Sequence, residues 1–253
     1  MLAPMLLIAA ALMEELNIAL NLCTDRTRVA CKGVRIWQAA YRSTALILLK
    51  TGMGPKRSGG ALRRTLCCLR PAEILVIGYA GSLSEELRAG DLAVLRCVSL
   101  LGPEAVPIEQ TSLTGSWNLA RGADLLETAR AGGAAASLCD GLTSPHIVGE
   151  PSQKRLLQER FGAAVIDMET AALAREAASA GIPLCCVRSV SDELDDKFLA
   201  PFAYDGVSSS LSRAARVVSA GNWLGRYSAW RSRAALAKES LRRFLTARLS
   251  MLS

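Results

Sequence analysis

AVIDMETAALAREAASAGIPLCCVRSVSD, residues 164–192, contains a complete strand–helix–strand unit. Residues 164–166 are a short apolar run that fits a strand, and alanine-rich helical spacing follows over 168–180. Gly181-Ile-Pro183 stops that helix. The run 184–190 is apolar apart from Arg188 and Ser189 and reads as a buried strand, and it leaves Ser191-Asp192 at its carboxyl end. The same alternation extends outward. Residues 5–10 and 44–49 fit buried strands. Residues 13–21 fit a helix with Glu14 and Glu15 in its first turn, where the helix dipole favours them. Helical spacing returns at 56–69, 124–131 and 153–161, and β-rich runs at 73–77 and 91–98. Strands alternating with helices predict a three-layer α/β/α sandwich with a mixed central sheet. In such sheets ligands gather where strands end and helices begin. Four segments fall at those places: Met13-Glu-Glu15, Gly52-Met-Gly54, Gly78-Tyr-Ala-Gly81 and Ser191-Asp192.

Composition sets the bounds. With 253 residues, 51% of them hydrophobic, the chain can bury a large core. The eight cysteines form no CxxC pair and His146 is the only histidine, so zinc ligands are scarce and no metal site is expected. Reduced thiols in a cytoplasm are the economical reading. Residues 1–12 are apolar but lack a basic leading segment, and the acidic pair follows at once, so a buried first strand is expected rather than an export signal. No stretch approaches the roughly 20 apolar residues that span a bilayer. The net charge of +7 is unevenly placed: from residue 211 onward nine Lys and Arg face only Glu239, giving that tail +8 and the rest of the chain −1.

Two segments carry candidate chemistry. In Val165-Ile-Asp-Met-Glu-Thr-Ala-Ala172, Glu169 could bind a diol through two hydrogen bonds. Equally, Asp167 could cap a helix and Glu169 face solvent. In Val187-Arg-Ser-Val-Ser-Asp192, an aspartate at the rim of a buried strand is a usable proton donor where desolvation raises its pKa, or an N-cap for whatever follows.

Taken together with Ala10-Ala-Leu-Met-Glu-Glu15, Thr51-Gly-Met-Gly54, Gly78-Tyr-Ala-Gly-Ser-Leu83 and Gly90-Asp91, these motifs stand in the order found in one family. From about residue 5 to 196 the chain resembles the superfamily of purine nucleoside and uridine phosphorylases and methylthioadenosine/adenosylhomocysteine nucleosidases. The resemblance implies roles. Glu15 would activate the attacking water. Met168 would pack on the ribose and Glu169 would bind its 2′ and 3′ hydroxyls. Asp192 would protonate N7 of a purine, with Ser191 orienting it. Tyr79, Ala80 and Gly81 would lie beside the ribose, and His146 and Ile147 would line the base. Cleavage of an adenine nucleoside, 5′-substituted, with release of free base follows from those roles. The family also implies a homo-oligomer, a dimer or a hexamer, and no cofactor other than phosphate if the enzyme is a phosphorylase.

Water is the nucleophile this sequence favours. In the phosphorylases a Ser or Thr follows the first glycine of the Gly78 loop, where this chain has Tyr79. The position two before that glycine, an arginine in uridine phosphorylases, is Val76. A phosphate-dependent phosphorylase is the alternative, and a non-catalytic nucleoside-binding or membrane-associated protein is the alternative of another class. Tyr79 also departs from the nucleosidases, which usually carry Ser.

The expected division is a catalytic domain over 1–205 and a basic, amphipathic helical extension over 206–253. In that extension Leu236, Leu241, Phe244, Leu245 and Leu249 can share an apolar face. Such a helix either packs on the core or on a neighbouring subunit, or lies at an anionic membrane surface; nucleic acid is not an expected partner, as no binding module is visible. The Trp-containing, Arg-rich tail also resembles that of the hopanoid-associated phosphorylases, which would make the substrate a lipid-linked nucleoside such as adenosylhopane, handled by a cytoplasmic enzyme peripheral to the inner membrane surface.

Overall fold

The structure, a computed structural model, describes residues 5–31, 33–103, 107–197 and 223–252, and within 223–231 the backbone alone. Ten strands form a single mixed sheet. In chain order they are β1 (Leu6–Ala10), β2 (Thr24–Val29), β3 (Arg35–Tyr41), β4 (Thr44–Lys50), β5 (Glu73–Ser82), β6 (Leu92–Leu101), β7 (Leu113–Asn118), β8 (Ala136–Thr143), β9 (Val165–Asp167) and β10 (Leu184–Asp192). The helices are α1 (Met13–Leu20), α2 (Pro55–Leu66), α3 (Gly122–Ala131), α4 (Pro151–Phe161), α5 (Thr170–Ser179) and α6 (Trp223–Ser250).

Strand β5 organises the sheet. Along its first half it pairs in parallel with β1 on one side and β10 on the other, and at Gly81 and Ser82 it pairs with β9. Because β10 also pairs with β6, β6 with β8 and β8 with β9, the strands β5, β10, β6, β8 and β9 close a ring. The other side continues as an open sheet, β1-β4-β3-β2. The central strands are apolar because both faces are covered: every residue of β1 and β10 is buried. One apolar layer gathers Val76, Ala80 and Val190 with α2 and α5. The other gathers Leu75, Ile77 and Val187 with α1, α3 and α6.

Several expectations change. The β-rich run at 73–77 does not end at Gly78; β5 continues to Ser82, so the glycine-rich segment is strand rather than loop. Strands β2, β3, β7 and β8 were not expected from the pattern. The tail helix also departs from its predicted face. Leu241, Phe244, Leu245 and Leu249 are fully buried in the second layer, but Leu236 is 55% exposed and lies off that face. Arg248 bonds Glu73 and Arg233 pairs with Asp196, so part of the basic charge is tied to the body of the protein. The predicted boundary at 205/206 lies outside the described residues, as do the side chains of Trp223, Arg226 and Trp230. No helix among the described residues is long and apolar enough to cross a membrane.

Candidate active site

A cavity of about 270 Å³ opens where β1, β5 and β10 reach their carboxyl ends. Glu15 reaches it from the first turn of α1. Its Oε2 accepts the Leu12 N–H at 2.8 Å, the reach-back contact of a residue three places into a helix. Its Oε1 accepts the Tyr79 N–H at 2.9 Å. Burial outweighs these bonds and the nearby Arg188, so the carboxyl titrates above its ordinary range.

Glu169 stands where β9 turns into α5. Asp167 does cap the helix, its Oδ1 accepting the N–H groups of Glu169 and Thr170 at 3.1 Å. Glu169, however, is not solvated: it is 5% exposed and faces the cavity. Its Oε1 accepts the Gly54 N–H at 2.9 Å, and burial pushes its pKa up to about 7 against the pull of Arg188.

Arg188 links these acids. It is 1% exposed, with Nη2 2.8 Å from Asp167 Oδ2 and 3.5 Å from Glu169 Oε2. Nε and Nη2 also donate to Thr170 Oγ1, and Nη1 to the Tyr79 carbonyl. The glycine of Gly78-Tyr-Ala-Gly81 follows from this crowding: a β-carbon on Gly78 would meet the Arg188 guanidinium and the Glu15 carboxylate at once.

Asp192 closes the opposite wall. Ser191 donates to its Oδ1 at 3.0 Å, and Lys154 of α4 donates to its Oδ2 at 2.5 Å. Gly81 leaves room for that carboxylate, since a β-carbon there would lie 2.8 Å from Oδ2.

All ten sequence-predicted residues line this one cavity: Glu15, Tyr79, Ala80, Gly81, His146, Ile147, Met168, Glu169, Ser191 and Asp192. Besides lining the cavity, Tyr79 packs against the apolar layer of α1, α3 and α6, and its N–H serves Glu15. Its hydroxyl is buried with no hydrogen-bond partner among the described residues. Sequence reasoning gave no role to Arg188 or Lys154. Lys154 carried a usable signal, since with Leu157 and Phe161 it occupies an i, i+3, i+7 stripe where α4 should be apolar. No group of His, Cys, Asp and Glu side chains among the described residues could hold a metal ion.

Residues 6–115 and 118–220 match the model of the phosphorylase superfamily. Among known proteins, the 5′-methylthioadenosine/S-adenosylhomocysteine nucleosidase of Haemophilus ducreyi is 26% identical over 200 residues, covering 74% of this chain and 84% of that protein. The aminodeoxyfutalosine nucleosidase of Helicobacter pylori is 28% identical over 206 residues, covering 75% and 86%. Among solved structures, the methylthioadenosine/adenosylhomocysteine nucleosidase of Neisseria meningitidis, in complex with methylthio-immucillin-A, superposes with a TM-score of 0.74 at 15% identity, covering 98% of each chain.

Proposed function

The chain belongs to the phosphorylase superfamily, and on that premise we propose that it is a purine nucleosidase that hydrolyses the N-glycosidic bond of a 5′-substituted adenine nucleoside. One observation carries the reading: Glu15, Glu169 and Asp192 converge on a single cavity, and the buried Arg188 behind its wall is already engaged by Asp167 and Glu169. Glu15 is placed to take a proton from water. Glu169 offers carboxylate oxygens to a ribose diol. Asp192 supplies the proton that lets the base leave as a neutral molecule. General acid and base assistance of this kind is worth about 10²–10⁴-fold each.

Phosphate binding needs donors that are free to meet it. Arg188 would have to leave two carboxylates to serve, which favours water as the nucleophile. The curated relatives, named as nucleosidases, support the same choice. A small 5′ substituent is favoured over a lipid. Four of the apolar residues of α6 that would enter a membrane surface, Leu241, Phe244, Leu245 and Leu249, are instead buried against the sheet.

Incubation with 5′-methylthioadenosine, with and without phosphate, tests the proposal. Free adenine at equal rates in both supports it. Turnover that requires phosphate, with 5-methylthioribose 1-phosphate as product, overturns hydrolysis. Turnover of a lipid-linked adenosine alone overturns the small substituent.

A further inference from the structure

Lys154 is 0% exposed, an uncommon state for a lysine, and its partners are few. Its Nζ donates to Asp192 Oδ2 at 2.5 Å, to the Glu193 carbonyl at 2.7 Å and to the Asp196 carbonyl at 3.4 Å. Two of these are backbone contacts that hold the turn after β10. The third is the closest contact made by the carboxylate proposed as the acid. Oδ1 of that carboxylate is taken by Ser191, which cannot supply a proton at comparable cost. A lysine used only as a clamp could satisfy its donors on carbonyls. Burying an ammonium against a carboxylate carries a large desolvation cost, which good geometry must offset. The same contact puts a proton on Nζ within hydrogen-bond reach of the carboxylate that must deliver one.

We propose, resting on the nucleosidase reading above, that Lys154 is the positioning residue that holds the proton Asp192 delivers to the leaving base. In the resting site the pair is ammonium and carboxylate. The Nζ–H bond breaks as Oδ2–H forms, leaving a neutral amine and a neutral acid. As the C1′–N9 bond breaks, its electron pair goes to the purine, and the carboxyl proton passes to N7. Asp192 is again a carboxylate, the base leaves neutral, and solvent returns to Lys154 the proton that Glu15 takes from the attacking water. Charge is conserved at each step. Glu15 takes the proton of the attacking water separately.

Leaving-group dependence separates this role from a structural one. Two substrates are compared at pH 8: 5′-methylthioadenosine, whose base needs a proton, and 4-nitrophenyl riboside, whose leaving group departs as a stable anion. Lys154→Met should lower kcat on the first by about 10²-fold or more, the size of a general-acid contribution, and leave the second nearly unchanged. Lys154→Arg keeps a cation beside Asp192 but holds its proton too tightly to release, and should show the same split. Equal losses on both substrates, or full rescue by arginine, would mean that Lys154 only holds the turn and would overturn the proposal. Release of no base by the unmodified protein would remove the nucleosidase reading itself, a separate and recognisable failure.

Discussion

Gly78 and Arg188 are in contact that no side chain could share: a β-carbon on Gly78 would lie 2.3 Å from Arg188 Nη1 and 2.7 Å from Glu15 Oε1. Both neighbours are buried charged groups held by other bonds, so neither can give way cheaply. Gly78→Ala is expected to cost about 1–3 kcal/mol of stability through overpacking. It should also lower kcat/KM on the order of 10²-fold through displacement of Glu15. Gly59→Ala is the control. Its added carbon would meet only ordinary contacts at 3.6 Å, with Ala172 and Glu176 of α5, and it should stabilise α2 by about 0.5–1 kcal/mol. Urea midpoints and initial rates on the two variants check both.

Asp192→Asn and Glu15→Gln remove the proposed acid and base while keeping shape. Each should lower kcat by about 10²–10⁴-fold. A methylthio-substituted transition-state analogue should still bind a folded Glu15→Gln protein, as read by calorimetry. An active Asp192→Asn protein would contradict the assignment of the acid.

Glu169 titrates at about 7 in the folded protein, raised from 4.5 mainly by burial. As pH falls through 7 it gains a proton and loses acceptor capacity for a diol, so KM should rise on the acid side. Glu169→Gln should flatten that rise. Stability has the matching sign. Between pH 4.5 and about 7 the folded state binds more protons at this group than the unfolded state, so its contribution to stability falls as pH rises across that window. Burial of Glu15 acts in the same direction. Thermal melts from pH 5 to 8 measure the slope.

The tail helix should behave as core where it is buried. Phe244 is fully buried and Leu236 is 55% exposed. Phe244→Ala should cost about 3–5 kcal/mol, whereas Leu236→Gln should change stability by less than about 0.5 kcal/mol. Denaturant midpoints distinguish the two. Equal, small effects would mean that α6 is an appendage after all.

The central strands and the site were legible in the sequence because they obey simple periods. Strands β1, β4, β5 and β10 are built on apolar runs over 6–10, 45–49, 74–77 and 184–187, and Glu15 and Asp192 stand just past or at the ends of β1 and β10. The outer strands were not legible. β2 reads TDRTRV, with every residue but its last exposed, so nothing in it alternates. β8 reads ASLCDGLT, whose small and polar residues match a turn as well as a strand. Closure of the ring depends on β10 pairing with both β5 and β6, a long-range event without a local signature. Lys154 stayed hidden for a related reason. Its partner lies 38 residues away, and a helical lysine ordinarily faces water.

The docking of α6 also bears on how the protein is made. This helix leaves the ribosome after every strand it covers. Until then Leu75, Ile77 and Val187, which share an apolar cluster with Leu241, Phe244 and Leu245, lack their lid. The nascent chain therefore carries one finished face of the sheet and another that α1 and α3 cover only in part. A species of that kind is aggregation-prone and in need of a chaperone's protection for as long as translation of residues 193–250 takes.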